Sequence, residues 1–210
     1  MTTLTSPSNI GIFITFEGTE GAGKSTLISH LKSALEPEME VVVTREPGGP
    51  GVSEKIRDLI LDNEMHPLTE LLLYEASRSE HVELVIRPAL KRGAIVLCDR
   101  FTDSTLAYQG AARGIEASKI EALNTIATSG LIPHLTFWLD VDPEKGLSRA
   151  TEHNRFEKEG VEFQKKVRQA FESLSLKNPA RWLRLDSSQL SPKKLTEKAI
   201  ARIDALLRQP

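Results

Sequence analysis

The chain has 210 residues, 40% of them hydrophobic, and a formal net charge of −2 at pH 7. This composition predicts one sizeable domain, residues 10–210, and argues against a general binding surface for nucleic acid or membranes. The single cysteine, Cys98, excludes an internal disulfide and suits a reducing compartment, so we expect a cytoplasmic protein. Residues 1–9 lack the features of a signal peptide and are expected to form a flexible tail.

Five short apolar runs predict β-strands, and helical patterns separate them. The runs span residues 12–16, 41–44, 95–98, 135–139 and 182–185. Strands that alternate with helices build a parallel sheet covered on both faces. The sequence therefore predicts an α/β fold, a three-layer sandwich with a five-stranded parallel sheet in the middle.

Two helices are marked by specific local signals. The stretch STLISHLKSAL follows the first strand and places its aliphatic residues on one helical face: Leu27, Ile28, Leu31 and Leu35. A later helix has Asp142 as its expected N-cap and Pro143 at its first position.

Between the first strand and the first helix lies the glycine-rich stretch GTEGAGKST. Its spacing fits the phosphate-binding pattern G-x-x-x-x-G-K-[ST] in the strand–loop–helix context that the pattern requires. Glycines let backbone N–H groups approach an anion, and the start of a helix attracts negative charge. We predict that this P-loop binds ATP through Gly18, Thr19, Glu20, Gly21, Ala22, Gly23, Lys24, Ser25 and Thr26. Within it, Lys24 serves the outer phosphates and Ser25 binds Mg²⁺.

The carboxyl ends of the second and third strands are expected to face this loop, because ligands of open α/β sheets bind beyond those ends. Asp99 closes the third strand and is predicted to position Mg²⁺; the alternative is a helix N-cap. Arg45 and Arg100 end neighbouring strands and suit a phosphate monoester, although each alone could form a surface ion pair. Together they predict a second phosphate site opposite the loop.

A leucine-rich helix carries Tyr74 and Arg78 four residues apart, and therefore on one face. The pair could stack on a nucleobase and hydrogen-bond its edge, whereas the alternative for an aromatic on such a helix is a place in the core. Tyr108 follows Asp99 in the stretch DSTLAYQG and is a further candidate for this site.

The order and content of the motifs resemble the thymidylate kinase family, whose members phosphorylate dTMP with ATP. The motifs that carry this resemblance are FEGTEGAGKST, TREPGG, LLLYEASR, DRFTDSTLAYQG and RFE, and it extends over nearly the whole chain. It implies a P-loop NTPase-like fold, Mg²⁺ and ATP as cofactor and donor, dTMP as acceptor, and a homodimer.

The same resemblance implies roles for single residues. Arg45 and Arg100 would hold the dTMP phosphate, Tyr74 would stack on thymine and Arg78 would reach its edge. Ser104 and Thr105 would border the base, Tyr108 would crowd the sugar 2′ position and Glu20 would meet the 3′-hydroxyl and the nearby cations.

The catalytic arginines are expected in a lid at about residues 146–160, as in the bacterial members of the family that place them there. Some members carry an arginine in the glycine-rich loop, but residues 19–22 read Thr-Glu-Gly-Ala here. We therefore assign Arg149 to a place near adenine or the outer phosphates and Arg155 to a place near the reacting phosphates. The alternative for this stretch is a charged, solvated helix end. The predicted catalytic set is Lys24, Arg100, Arg149, Arg155 and Glu20.

Other functions stay open, and the nearest is a kinase of another nucleotide or of a deoxynucleoside. A deoxynucleoside kinase would need a base for a neutral hydroxyl, which Glu17 could provide, but the ready phosphate site at Arg45 and Arg100 weighs against it. A nucleotide-dependent switch would leave a separate acceptor site without a purpose, and the sequence has no N-K-x-D guanine reader.

Overall fold

The computed structural model describes residues 11–149 and 159–208. Five parallel strands form one sheet in the order β2-β3-β1-β4-β5. Their bounds are β1 Ile12–Glu17, β2 Val41–Arg45, β3 Ile95–Asp99, β4 Leu135–Asp140 and β5 Trp182–Asp186. The five predicted strands are confirmed, and each extends one residue beyond its predicted carboxyl end because a polar terminal residue still pairs with the neighbouring strand.

Helices cover both faces of the sheet. They are α1 Lys24–Leu35, α2 Gly51–Asp62, α3 Pro67–His81, α4 Arg87–Lys91, α5 Thr102–Thr105, α6 Ala117–Thr128, α7 Pro143–Arg149, α8 Gly160–Lys177 and α9 Pro192–Leu207. Two π-helical segments, Val82–Ile86 and Leu106–Ala112, continue α3 into α4 and extend α5. No described helix is long and apolar enough to cross a membrane.

Side chains alternate along β1 and therefore divide the core. Ile14 and Phe16 lie in the apolar cluster beneath α1 and α9. Phe13 points to the opposite face of the sheet, into a cluster with the π-helical segment Val82–Ile86 and α4. A third cluster joins Trp138 of β4 to α8. The predicted three-layer arrangement is thus confirmed.

The local helix signals are also confirmed. All four aliphatic residues predicted for one face of α1 are buried. Asp142 Oδ1 accepts hydrogen bonds from the N–H groups of Glu144, at 3.1 Å, and Lys145, at 3.2 Å, and Pro143 is the first residue of α7. The predicted tail at 1–9 and most of the predicted lid lie outside the described residues.

Candidate active site

A cavity of about 610 Å³ opens at the carboxyl ends of β1, β2 and β3. The glycine-rich loop forms one wall, and the ends of β2 and β3, with α3 and α5, form the opposite wall. Its lining includes these sequence-predicted residues: Glu20, Gly21, Ala22, Gly23, Lys24, Ser25, Thr26, Arg45, Tyr74, Arg78, Asp99, Arg100, Ser104, Thr105, Tyr108 and Arg149. Gly18 and Thr19 are buried at the base of the loop.

Two glycines give the loop its shape. Gly23 has φ +90° at the N-cap of α1, a backbone conformation that side chains disfavour. Gly21 lies against α7, where an added Cβ would stand 1.9 Å from the carbonyl oxygen of Gly146. This close approach brings α7, and with it Arg149, to the same cavity as the loop.

Lys24 is the first residue of α1, and its ammonium lies inside the curve of the loop. Nζ donates to the carbonyl oxygens of Gly18, at 3.4 Å, and Thr19, at 3.3 Å, and lies 4.0 Å from Asp99 Oδ1. Burial lowers the pKa of Lys24, and the nearby Arg100 lowers it further. The long hydrogen bonds leave this cation able to turn toward a phosphate.

Asp99 and Ser25 fit a magnesium site. Asp99 Oδ1 is buried without a hydrogen-bond partner in the described chain, an unusual state for a carboxylate oxygen. Ser25 is exposed at the start of α1. Mg²⁺ prefers oxygen ligands and takes few of them from the protein when phosphates and water supply the rest. Asp99 is not a helix cap, because the N-cap of α5 is Phe101.

Arg100 connects the loop to the opposite wall, and Glu20 is its partner. The backbone of Arg100 has φ +68°. Its Nη1 donates to Gly18 O at 3.0 Å, its Nη2 donates to Glu20 Oε1 at 2.9 Å, and its guanidinium lies 4.8 Å from the ring centroid of Tyr108. The Tyr108 hydroxyl donates to the same Glu20 carboxylate at 3.0 Å. The negative charge of Glu20 is therefore paired with the Arg100 guanidinium and hydrogen-bonded by the Tyr108 hydroxyl, and it is not directed at the phosphate-binding amides.

Glu17 lies behind Arg100 and is fully buried. Its carboxylate accepts from the Phe101 N–H at 2.9 Å and from the Ser104 hydroxyl at 2.5 Å. Burial, with a contribution from Asp103, raises the pKa of Glu17 to about 8. Glu17 is not part of the cavity lining. Its hydrogen bonds to Phe101 and Ser104 instead hold the segment after β3 in place.

The two arginines predicted to hold a phosphate differ in their surroundings. Arg45 is half exposed, and its Nη2 donates to both carboxylate oxygens of Glu54, at 2.8 and 3.0 Å. Arg100 is largely covered. Arg57, which the sequence analysis missed, also lines the cavity and donates to Pro47 O at 3.0 Å.

Arg78 is buried within a network of acceptors. It donates to Glu46 at 2.8 Å, Glu75 at 2.6 Å, Asn124 at 2.7 Å and Thr105 at 2.9 Å. Tyr74 lines the cavity and also packs against an apolar cluster, so both interpretations offered for it describe part of its surroundings. Contact with a base remains a prediction for both side chains.

The lid arginines are only partly accounted for. Arg149 is exposed at the end of α7, lines the cavity and donates from Nη1 to Ser187 O at 3.2 Å. Arg155 lies outside the described residues. The role of either arginine stays a prediction.

Several residues of the site carried no sequence signal that we used. Gln109 lines the cavity from the π-helical segment, within the motif that supplied Tyr108. Glu46 and Pro47 line it from the TREPGG motif, although only Arg45 of that motif was predicted. Glu46 and Gln109 lie in short polar motifs and could have been named as candidate site residues. Their hydrogen-bond partners, Arg78 and Glu70, lie far away in the sequence and could not.

The fold and the cavity define a class. A parallel sheet in which a P-loop-like glycine-rich turn faces a wall of arginines is the arrangement of a P-loop NTPase-like phosphotransferase. The family model described as thymidylate kinase matches residues 16–200.

Individual relatives agree with this match. A thymidylate kinase of Synechococcus sp. (strain JA-2-3B'a(2-13)) is 51% identical over 183 residues, covering 86% of this chain and 88% of the relative. One from Pseudomonas fluorescens (strain Pf0-1) is 51% identical over 186 residues, covering 85% and 89%. The crystal structure of thymidylate kinase from Ehrlichia chaffeensis superposes with a TM-score of 0.79 at 34% identity, covering 92% of this chain and 98% of that one. The chain belongs to the thymidylate kinase family.

Proposed function

We propose that this protein transfers the γ-phosphoryl group of ATP to the phosphate of dTMP and forms dTDP for dTTP synthesis. Besides family membership, the observation that carries the proposal is the cavity itself. It brings the glycine-rich loop, two arginines at strand ends and the Tyr74–Arg78 face of α3 into one space. This arrangement supports the proposal that a donor site and an acceptor site for two phosphorylated molecules face each other.

The chain's residues divide the work of this reaction. Lys24 and the loop amides hold the outer phosphates of ATP. Ser25 and Asp99 would hold Mg²⁺, which would supply positive charge to the phosphate oxygens. Arg45 and Arg100 hold the acceptor phosphate. Glu20 orients Arg100 toward the acceptor phosphate and Tyr108 toward the acceptor sugar. Arg149 and Arg155 add positive charge from the lid.

No strong general base is required, because a phosphate monoester is already largely ionised at neutral pH. The fully buried position of Glu17 supports a nucleoside monophosphate kinase over a deoxynucleoside kinase. A base must reach the hydroxyl that it deprotonates, and the carboxyl of Glu17 is bonded to Phe101 and Ser104 outside the cavity lining. The catalytic task is then to position two polyanions and neutralise their charge.

The proposal includes a homodimer in the cytoplasm. Val52 and Leu59 lie seven residues apart on α2, and Leu68 and Leu72 lie four apart on α3, so each pair shares a helical face. All four side chains are about half exposed. The neighbouring helices α2 and α3 thus offer an apolar surface that suits a second copy of the chain, and light scattering at micromolar concentration tests for the doubled mass.

Product analysis tests the proposed reaction. The protein is incubated with Mg·ATP and a panel of nucleosides and nucleoside monophosphates, and dTDP is the expected main product. Lys24→Ala should reduce kcat for dTMP by at least about a hundredfold, since it removes a charge that stabilises the transferring group. A normal melting temperature of the variant serves as the control, and wild-type turnover by a folded variant would contradict the assignment of the loop.

A further inference from the structure

Helix α3 and the segment 102–112 are joined by two buried hydrogen bonds on either side of Tyr74. Toward the start of α3, Gln109 Nε2 donates to Glu70 Oε1 at 2.7 Å. Toward its end, Arg78 Nη2 donates to Thr105 Oγ1 at 2.9 Å. Glu70, Tyr74 and Arg78 follow one another at intervals of four residues on one face of α3. A base stacked on Tyr74 would therefore have Gln109 on one side and Arg78 on the other.

Glu70 fixes which end of the Gln109 amide faces the cavity. A carboxylate only accepts hydrogen bonds, so the amide nitrogen of Gln109 must point toward it. Both side chains are buried, with exposures of 1% for Glu70 and 2% for Gln109. The amide oxygen of Gln109 has no hydrogen-bond partner in the described part of the chain, although the residue lines the cavity. Because Gln109 lines the cavity, this oxygen can accept a hydrogen bond from a ligand.

Arg78 supplies the complementary donor. A guanidinium has five N–H groups, and four of them are used, by Glu46, Glu75, Asn124 and Thr105. One N–H of Nη2 is left without a partner among residues 11–149 and 159–208. The wall around Tyr74 therefore presents one donor, from Arg78, and one acceptor, from Gln109.

We propose that Glu70 is a positioning residue that sets base specificity by holding the Gln109 amide with its oxygen toward the acceptor base. This inference rests on the proposed function and deepens it. The Arg78 donor and the Gln109 acceptor together match a pyrimidine with a carbonyl at C4 and a ring N–H at N3. This pair mismatches a pyrimidine with an amino group at C4 and an unprotonated N3. The Arg78 donor then meets the amino group, which is also a donor, and the Gln109 oxygen meets N3, which is also an acceptor. The pocket thus selects 4-oxo over 4-amino pyrimidine nucleotides.

The first test compares kcat/KM for dTMP with kcat/KM for dCMP in the wild type and in Glu70→Gln. A glutamine at 70 both donates and accepts, so the Gln109 amide can turn and the ratio of the two values should fall at least about tenfold. KM for ATP should not change. Glu83→Gln, an exposed carboxylate in the π-helical continuation of α3, is the matched control and should keep the wild-type ratio. If dCMP turnover is too slow to measure, the ratio of Kd values from calorimetry replaces it.

A double-mutant cycle separates positioning from general support. In a Gln109→Met background no amide is left to orient, so Glu70→Gln should leave the dTMP-to-dCMP ratio unchanged. A fall in the ratio of the same size in that background would overturn the proposal.

The exchange Glu70→Gln with Gln109→Glu provides a rescue and a second route if the single variant does not fold. Here the new amide donates to the new carboxylate, whose other oxygen is again an acceptor toward the base. The exchange should restore the preference for dTMP over dCMP, and a variant that folds without this preference would overturn the proposal. A wild type that makes no dTDP would instead refute the proposed function, so the two failures are distinguishable.

Discussion

Glu17 is a carboxyl group that burial has moved far from its behaviour in water. Its carboxyl group accepts hydrogen bonds from Phe101 and Ser104, and Arg100 lies near enough to favour its ionised form. Burial and the neighbouring carboxyl group of Asp103, which Arg181 binds at 2.6 Å, act in the opposite direction. Burial, as the largest cause, raises the pKa of Glu17 from its ordinary value of 4.5 to about 8. The folded state therefore binds more protons than the unfolded state between these two pH values.

The first prediction is that Glu17 makes the free energy of unfolding fall as the pH rises from about 5 to 8. In this range Glu17 is protonated in the folded state and ionised in the unfolded state, so a rise in pH favours unfolding. One such group lowers the free energy of unfolding by at most about 1.4 kcal/mol per pH unit. Above pH 8 this contribution to the slope disappears. Glu17→Gln should flatten the curve in this window, as measured by denaturant unfolding at several pH values. Parallel curves for the wild type and the variant would show that Glu17 is ionised in the folded chain at neutral pH.

The polar residues of the site were only partly predictable from the sequence. Lys24, Ser25 and Asp99 could be found because their positions follow from strand–loop–helix order, which is local. Glu70 and Gln109 could not be paired, since 39 residues separate them and neither spacing nor periodicity records such a contact. For the same reason, the sequence did not show that Arg78 is held by four acceptors.

Among the elements, the strands were predicted more closely than the helices. Apolar strands buried on both faces give an uninterrupted signal, and only their polar last residues were missed. Helices α3 and α5 each continue into a π-helical segment, which a period of 3.6 residues does not reveal. The segment Leu106–Ala112 carries both Tyr108 and Gln109, so this irregularity lies within the site.

Helix α3 is the element that is expected to bind the base. Tyr74→Ala should weaken dTMP binding by about 1 to 3 kcal/mol, the usual value of a base stacked on an aromatic ring, and leave the Kd for ATP nearly unchanged. Calorimetric titration with each nucleotide separates the two effects. Equal weakening of both ligands, or a large drop in melting temperature, would assign Tyr74 to the core alone.

Helix α7 is expected to contribute its last residue, Arg149, to the donor side of the cavity. Because the glycine-rich loop has no arginine of its own, Arg149→Ala should lower kcat more than it raises either KM, which indicates an interaction made mainly in the transition state. Lys145→Ala, an exposed change one turn earlier in α7, is the matched control. If kcat is unchanged by Arg149→Ala, the charge must come from another residue.

At the scale of the whole molecule, the sheet brings both proposed nucleotide sites to the carboxyl ends of its strands. The glycine-rich loop after β1 and the arginines after β2 and β3 come from three parallel neighbours, so their separation is set by strand spacing and not by long loops. Such a fixed spacing suits the in-line arrangement of donor and acceptor that the proposed phosphoryl transfer requires. Substrate choice then depends on the walls around the acceptor.

The most direct test of this account is the relative kcat/KM of the wild type for dTMP, dUMP and UMP with saturating Mg·ATP. The thymine methyl group is worth about 1 to 3 kcal/mol in an apolar contact, so dUMP should be a poorer but measurable acceptor. The Tyr108 ring is only 5% exposed and bonded to Glu20, so it is not expected to move aside for a 2′-hydroxyl. Binding of UMP in the transition state should be weaker by a further amount of about 1 to 3 kcal/mol, because its 2′-hydroxyl would clash or stay without a hydrogen bond. The predicted order is dTMP, then dUMP, then UMP, whereas an enzyme that uses UMP as well as dTMP would contradict the assignment of a deoxythymidylate acceptor site.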